Sequence, residues 1–267
     1  MPYRIERIRA LLNATPKQSP ATAAAMQADV TSLMARDLLP LMLRGLPHLS
    51  RDAAAIAALT AWDDRMVRNR PEPLIFAAWL REVTRALFAP KLGPLLSDYW
   101  APHPNVVRAI LTSHPEWCDK AGCPALLAAA LDHALNGLRQ RYGDDMSAWR
   151  WGHAHRAVFR HALWSRLPLL DRILTPTIAA PGASDTLNAG AFLFSDESRP
   201  FGDRLGPVLR MIVDTSDLDA AEFMIVPGQS GNPLSSHWDD LLRPWHDVHY
   251  VTFGDDASGG RLMLVPR

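Results

Sequence analysis

The feature that most constrains the fold of this chain is an apolar segment that runs directly into a loop rich in proline and glycine. Residues 222–226, Glu-Phe-Met-Ile-Val, have the composition of a β-strand, and Pro227-Gly228 then ends it. The glycines of this loop permit backbone angles that other residues resist. Asn232-Pro233 marks a further turn, and the acidic, Trp-containing residues 234–242 predict a short helix. We therefore expect a strand, a tight polar loop and the start of a helix.

The serine in this loop raises the question of nucleophilic catalysis. A nucleophile elbow needs the order Gly-x-Ser-x-Gly, whereas the order around Ser230 is Gly-x-Ser-Gly-Asn. The pattern therefore does not match that type of site. Taken alone, the loop is typical of a well-formed structural turn.

The first half of the chain has mainly helical periodicity. Residues 4–14 alternate charged and apolar positions at helical spacing. Ser19-Pro20 predicts the start of a long helix that runs to Leu41, with Pro40 bending it or ending its first part. Phe76 and Trp79, three residues apart, predict a core-facing stripe. Further helices are predicted from Ser50, over 73–89, around 106–111 and over 126–138.

From Pro176 the composition changes to that of strands and turns. A polar loop over 181–190 leads into a strand-like segment at 191–194. Strands are predicted over 208–214 and 223–226, with a turn at 217–219 between them, and two more at 249–253 and 261–265. This spacing predicts an antiparallel meander. The predicted fold class is therefore α+β, with a helical N-terminal half followed by antiparallel strands.

Composition argues against two classes of partner. The 267 residues carry 28 basic and 28 acidic side chains, so no basic excess favours nucleic acid. No apolar run reaches membrane-spanning length, and the charged start lacks the apolar segment of a signal peptide. We predict neither a nucleic acid nor a membrane as a partner. Length alone allows one or two domains.

Two groups of residues are candidate metal ligands. Cys118 and Cys123 form a single Cys-x4-Cys pair, which is too few thiols for a four-cysteine zinc site. Their spacing leaves open either two reduced thiols or a small disulfide-closed loop. His153 and His155 would share one face of a strand, with His161 further on, but no acidic residue stands nearby at ligand spacing. Structural roles are favoured for these histidines.

Six sequence blocks follow one another in a particular order along the chain. They are Arg4-x-x-Arg-Ile-x-x-Leu-Leu, Ser19-Pro20 with Met26-Gln-x-Asp-Val, Leu-Thr-Ala-Trp62-Asp, Tyr142-Gly-Asp with Trp149-x-Trp-Gly, Pro181-Gly with Thr186-x-Asn, and Pro227-Gly-Gln-Ser-Gly. Taken in this order, the blocks resemble the penicillin acylase family of N-terminal-nucleophile (Ntn) amidohydrolases. Two regions depart from the family pattern: Asp64 stands where the family usually has glycine, and Asp247 and His249 occupy another region where glycine is common.

The resemblance implies a fold and a chemistry. A whole member of the family would be an αββα sandwich, of which this chain would form an incomplete part. The activity implied is hydrolysis of a linear amide by a serine at the N-terminus of the β chain, with its own α-amine as base. Arg4 falls where the family carries an arginine close to the catalytic centre; the alternative is an ordinary solvated arginine at a helix start. Because the family is largely periplasmic, the resemblance also favours the disulfide.

The family's machinery is not expected in this chain. Met1-Pro2 cannot supply a serine nucleophile, and the family's oxyanion asparagine and calcium ligands lie upstream of the segment that matches residues 4–14. We therefore expect residues 1–267 to be the C-terminal portion of a β chain, mainly helical over 1–145 and mainly strands and loops over 146–267. Such a segment would hold no cofactor and would be inactive without the α chain and the front of the β chain.

Function is predicted at two levels. The first hypothesis is a part of a periplasmic hydrolase that acts on small acyl amides, either the acyl side chains of β-lactams or acyl-homoserine lactones. The alternative is a non-catalytic remnant or interaction protein that retains part of the fold. If the chain did turn over such an amide alone, Ser184 and Ser230 would be the first residues to test.

Overall fold

The computed structural model describes residues 2–44, 46, 53–252 and 263. The chain divides into two compact units. The first comprises Met1–Pro16 with Met26–Pro207, and the second comprises Lys17–Ala25 with Val208–Arg267. The boundary assigns nearly all the helices to the first unit and the three-stranded sheet to the second.

The described helices are mostly short, and prolines stand inside or beside many of them. Two of them, α5 (Glu72–Leu92) and α8 (Gly122–Tyr142), have 21 residues each and dominate the first unit. The helices are α1 Tyr3–Ala14, α2 Pro20–Gln27, α3 Leu33–Arg44, α4 Ala53–Thr60, α5 Glu72–Leu92, α6 Leu96–Tyr99, α7 Pro104–Ser113, α8 Gly122–Tyr142, α9 Trp151–Ala154, α10 Pro168–Leu174 and α11 Leu242–His246.

The core of the first unit forms where α5 packs against α8. Both helices present apolar side chains at helical spacing, so each buries a continuous stripe against the other. Phe76 and Trp79 are fully buried, as their spacing predicts. The Trp79 indole Nε1 donates a hydrogen bond to the Leu127 carbonyl oxygen at 3.0 Å. That bond gives the buried indole a polar partner, which such rings usually need.

The predicted long helix from Ser19 to Leu41 is wrong in its middle, and of the two effects predicted for Pro40 the structure contradicts the ending of a helix there. The structure has two helices, α2 and α3, separated by an extended segment at residues 28–32. This segment pairs with a distant strand-like stretch, because Ser32 N donates to Asp64 O at 2.8 Å and Met66 N donates to Val30 O at 2.9 Å. Pro40 lies inside α3 without ending it. Long-range pairing has therefore overridden the local helical preference.

The second unit contains an antiparallel sheet with the order β3-β4-β5: β3 Leu209–Asp214, β4 Asp217–Ile225 and β5 Val251–Thr252. On β3 the buried positions alternate with exposed ones, so Arg210 and Ile212 point inward. The predicted turn at 217–219 is wrong, because β4 already begins at Asp217, which pairs with Asp214. The predicted strand at 261–265 lies outside the described residues, apart from Met263.

Three further local predictions need correction. Residues 234–241 form successive turns instead of the predicted short helix, and α11 begins only at Leu242. The strand-like segment at 191–194 makes a single bridge, between Ala191 and Leu205. His153 lies in α9 and not on a strand. A two-stranded sheet follows, with β1 Arg156–Val158 antiparallel to β2 Thr177–Ala179. The helix start predicted at Ser50 lies outside the described residues.

Cys118 and Cys123 are joined by a disulfide. The sequence alone left this open, and the family resemblance favoured it. The bond closes a short loop immediately before α8, where Cys118 is buried. Since it restricts the unfolded chain near the start of a core helix, it stabilises the helical unit.

We expect reduction of this disulfide to lower the free energy of unfolding by about 2 kcal/mol, the chain-entropy value for so small a loop. Urea denaturation with and without reductant measures the difference. The paired substitution Cys118→Ser with Cys123→Ser should reproduce the loss and abolish the response to reductant. Equal stability of the oxidised and reduced proteins would contradict this role.

Candidate functional site

Arg4, the one catalytic candidate from the sequence, lies in the first turn of α1 with its side chain exposed. The two neighbouring contacts that hold α1 in place come from Tyr3 and Arg7. The buried Tyr3 hydroxyl donates to Asp37 Oδ2 at 2.9 Å. Arg7 donates from Nε and Nη2 to the two oxygens of Asp29, at 3.0 and 2.6 Å. Arg4 is thus presented from a helix that is anchored on both sides.

The Arg7–Asp29 pair is a two-pronged, partly buried ion pair. Burial alone would raise the pKa of Asp29, but the hydrogen bonds and charge of Arg7, together with donors from Thr31, hold that pKa below its usual value. The geometry is the fork-on-carboxylate arrangement that arginine favours. Because Asp29 lies in the extended segment at 28–32, the pair fixes α1 to the start of α3.

A buried polar loop, residues 181–190, lies against the same segment. The Asn188 backbone N–H donates to Asp29 O at 2.9 Å. Inside the loop, the buried Thr186 hydroxyl accepts from Ala183 N at 2.9 Å and donates to Asn188 O at 2.7 Å. Gly182 has φ of +87°, and a Cβ there would lie 2.0 Å from Asn188 O, so only glycine fits. The loop is therefore a specified structure and not a mobile connection.

Asp185 is the centre of this loop. Its Oδ2 accepts hydrogen bonds from the Ser32 hydroxyl at 2.9 Å and from Met34 N at 3.0 Å. Ser32 in turn caps α3, since its Oγ accepts from Ala35 N at 2.9 Å. The carboxylate therefore lies at the N-terminus of α3, where backbone N–H groups favour negative charge.

The electrostatics of Asp185 connect it to Arg4. Burial raises the pKa of Asp185, while the Met34 and Ser32 donors and the positive charge of Arg4 act in the opposite direction. Its second oxygen, Oδ1, is buried and has no hydrogen-bond partner among the described residues. A buried carboxylate with one open oxygen beside a helix terminus and an arginine is an unusual group for a purely structural loop.

His155 supports the loop from the other side. Its ring is fully buried and stacks on Trp151 with centroids 4.5 Å apart. Nδ1 lies 2.6 Å from Phe201 O, so it carries the proton, and Nε2 has no partner in the described part of the chain. A Cβ on Gly190 would lie 2.2 Å from Nε2, so the loop backbone sits directly against the ring. Burial lowers the pKa of His155 to about 4.

The two candidate serines do not form a catalytic pair. Ser184 Oγ accepts from Phe192 N at 3.4 Å, and Ser230 Oγ accepts from Asn232 N at 3.1 Å. Within the described ranges, neither hydroxyl makes a hydrogen bond to a histidine or a carboxylate. The Pro-Gly loop needs glycine at position 228, because a Cβ there would lie 2.4 Å from His237 O. The hydrogen bonds of Ser184 and Ser230 and the tight packing at Gly228 therefore favour a structural role for both serines.

The histidines of the 153–161 segment do not converge. The ring of His161 accepts from the backbone N–H groups of Leu163 and Trp164, each at 3.0 Å, while His155 is turned inward. In the part of the chain that the structure describes, no three His, Cys, Asp or Glu side chains are placed to hold a metal ion. Over the same residues, no helix is long and apolar enough to cross a membrane.

Sequence reasoning identified Arg4 but missed Asp185. The neighbours of Asp185, Pro181-Gly and Thr186-x-Asn, form one of the blocks that resemble the family, but the resemblance gave them no role. The available signal was a polar Ser-Asp-Thr run between two apolar stretches. That signal indicates a capping site, but it does not say which helix is capped, because the partner lies about 150 residues earlier.

The chain is an α+β protein, in which helices and antiparallel strands are combined with a buried polar loop at residues 181–190. A sequence model of the penicillin amidase family matches residues 1–257. The chain belongs to the penicillin amidase family, whose members are acylases that hydrolyse amides.

Individual relatives agree with this assignment. The chain is 30% identical over 288 residues to the acyl-homoserine lactone acylase QuiP of Pseudomonas syringae pv. tomato, covering 94% of this chain and 34% of that protein. It is 28% identical over 273 residues to the penicillin acylase 2 proenzyme of Pseudomonas sp. (strain SE83), covering 94% and 33%. The chain thus spans about a third of the length of the curated relatives it matches.

A solved structure shows the same fold. The thermostable penicillin G acylase from Alcaligenes faecalis superposes with a TM-score of 0.54 and 17% sequence identity, over 90% of this chain and 48% of that chain. This similarity confirms the predicted α+β fold class of helices with antiparallel strands. It carries information about the fold alone, because sequence identity is low.

We expect His155 to make stability depend on acid. Its pKa lies at about 4 in the folded protein, against 6.5 for the free side chain, so below pH 6.5 the unfolded chain binds the proton first. The stability that His155 contributes is full above pH 6.5 and falls by about 1.4 kcal/mol per pH unit down to about pH 4.

Asp203 acts in the opposite direction over part of this range, because burial raises its pKa to about 6. The measurement is therefore the difference between wild type and His155→Asn, which keeps a donor for Phe201 O but does not titrate. Urea unfolding at pH 7, 6, 5 and 4 should show the wild type losing about 3 kcal/mol relative to the variant. A constant difference would contradict the assignment.

Proposed function

We propose that this chain is part of a hydrolase that cleaves the linear amide bond of small acyl amides. The observation that carries the proposal is the match to the penicillin amidase family over residues 1–257, supported by 30% identity to an acyl-homoserine lactone acylase over 94% of the chain. The names of the relatives favour acyl-homoserine lactones as substrates, with the acyl side chains of β-lactams as the second class.

The nucleophile of this reaction is proposed to lie on polypeptide outside residues 1–267. Amide hydrolysis needs a nucleophile, a base that activates it and donors that stabilise the oxyanion. Among the described residues, neither Ser184 nor Ser230 makes a hydrogen bond to a histidine or a carboxylate that could act as its base, and no set of donors converges on either hydroxyl. The curated relatives are about three times as long as the part that this chain matches, which leaves room for that machinery.

In this proposal residues 1–145 form the helical part of the segment, and 146–267 form closing strands and loops of the catalytic sandwich. The α chain and the front of the β chain are the proposed partners. The disulfide supports an oxidising compartment such as the periplasm, since thiols stay reduced in the cytosol of most bacteria.

Arg4 is the proposed contribution of this segment to the reaction. Its guanidinium is always charged and carries five donors in a planar fork, so it binds a carbonyl or carboxylate oxygen of a substrate well. Because Tyr3 and Arg7 hold α1 in place, the backbone of Arg4 is fixed while its side chain is exposed. Burial raises the pKa of Asp185, and Arg4 lies close enough for its positive charge to oppose that rise.

The test is expression of the complete reading frame that contains this chain, followed by assay of two amides. One is a long-chain acyl-homoserine lactone, and the other is a chromogenic phenylacetyl amide. Release of the homoserine lactone amine supports the proposal and its favoured substrate class. Hydrolysis of the phenylacetyl amide alone would move the substrate to the second class. Absence of turnover with either, in folded protein, would favour a non-catalytic remnant.

In that active preparation we expect Arg4→Ala to lower kcat/KM about 100-fold, the order found for loss of one charge-stabilising donor in an acyl-transfer site. Arg4→Lys should restore part of the activity, because charge returns without the planar fork. The matched control is Arg9→Ala, which removes an exposed arginine from the same helix. Full activity of Arg4→Ala would show that Arg4 is only a solvated helix-start residue.

A further inference from the structure

A polar pocket in the first unit lies well apart along the sequence from Arg4 and has no part in the proposed reaction. It has a volume of about 390 Å³, which is within the range of small-molecule sites. Its wall combines a residue that follows β1 with the segment at 196–204. The charged residues of the wall are Arg160, Arg199, Arg204, Asp196 and Asp203.

The three arginines of the pocket differ in how their charge is balanced. Arg204 is paired with Asp196. Arg160 is mostly exposed, and its carboxylate neighbour, Asp171, is 3.8 Å away. For Arg199, the structure shows no carboxylate within ion-pair distance among the residues it describes. The pocket therefore contains guanidinium groups with unused donors.

Local contacts fix the position of Arg199 in the pocket wall. A Cβ on Gly202 would lie 3.2 Å from both Nε and one Nη of Arg199, so the guanidinium packs closely over this glycine. Asp196 Oδ1 accepts from Arg199 N at 3.2 Å and from the Ser198 hydroxyl at 2.7 Å, which fixes the turn that carries Arg199. The arginine is thus placed by its surroundings before any ligand binds.

The two carboxylates of the pocket offset only part of the positive charge of its three arginines. Asp196 forms an ion pair with Arg204 and accepts hydrogen bonds from the turn at 198–199. Asp203 is buried, and its Oδ1 accepts from Leu205 N at 3.2 Å. Asp203 also joins the wall to β1, since its backbone N–H donates to Arg156 O at 3.1 Å. The wall of the pocket thus carries three arginines, one carboxylate that is already paired with Arg204 and one buried carboxylate that accepts a backbone N–H.

We propose that this pocket binds a phosphate group through Arg160, Arg199 and Arg204. Planar guanidinium forks match the oxygens of phosphate, and several of them around one pocket provide charge-assisted hydrogen bonds from different directions. The volume accommodates a phosphate that carries a further organic group, so the source is either free phosphate or the head of a lipid. The site is independent of amide hydrolysis and stands whether or not that activity is found.

The segment that follows Arg160 makes the lipid a source worth testing. Residues 159–176 connect β1 to β2 and include α10. This connection carries the basic residues Arg166 and Arg172 together with four exposed aliphatic side chains, namely Leu163, Leu167, Leu169 and Ile173. A basic and apolar surface of this kind suits the interface of an anionic membrane.

The experiment uses protein from the complete reading frame, in chloride buffer free of phosphate and sulfate. Titration calorimetry with inorganic phosphate measures the free ion. Sedimentation with phosphatidylglycerol vesicles, against phosphatidylcholine vesicles, measures the anionic headgroup. Arg199→Gln is the main variant, and Arg160→Gln is a second one, at a mostly exposed side chain that contributes nothing to the buried core. Arg150→Gln removes an exposed arginine outside the pocket and is the matched control.

We expect saturable binding of phosphate or of the anionic vesicles by wild type and by Arg150→Gln. Arg199→Gln and Arg160→Gln should each raise Kd about tenfold, the order expected for loss of a charge-assisted hydrogen-bond pair. Phosphate binding identifies the free ion as the source, and binding of vesicles alone identifies the headgroup. If the wild type binds neither phosphate nor the anionic vesicles, or if all three substitutions weaken binding equally, the proposed phosphate site is wrong.

Discussion

The buried carboxylate of Asp185 is the contact on which the arrangement of the site depends. It accepts hydrogen bonds from the Ser32 hydroxyl and the Met34 amide and thereby seats the 181–190 loop on the N-terminus of α3. The same region is joined to α1 through Arg7 and Asp29. A buried acceptor with such donors is costly to remove, because the donors are then left without partners. The position of Arg4 therefore depends on polar contacts as much as on the apolar core.

The helices could be predicted from the sequence wherever one face is buried. α5 and α8 follow directly from apolar spacing, and their buried stripes include Trp79 and Leu131. The break at 28–32 could not be predicted in this way. It exists because that segment pairs with residues 64–66, and no local preference records a partner so far along the chain. The turns at 234–241 were missed because acidic residues and tryptophan are compatible with helix as well as with turns.

Some residues of the candidate site could likewise be predicted from the sequence, and others could not. Arg4 was identified by the position it shares with a family pattern, whereas Asp185 became visible only once Ser32 and Met34 lay beside it. His155 was considered as a metal ligand, and the structure turns its ring inward against Gly190 and Trp151. Sequence shows which residues can do chemistry, but long-range contacts decide which of them are brought together. Family membership rests on the ordered blocks along the chain, and it did not require those contacts to be known.

The most direct measurement of this account is the coupling between Ser32 and Asp185 in unfolding. Urea denaturation of wild type, Ser32→Ala, Asp185→Ala and the double variant gives their interaction free energy. We predict that the double variant loses less stability than the two single variants added together, by about 1 kcal/mol or more, because the two side chains share one buried hydrogen bond. Additive losses would mean that Asp185 does not hold the loop to α3, and the site would need another explanation.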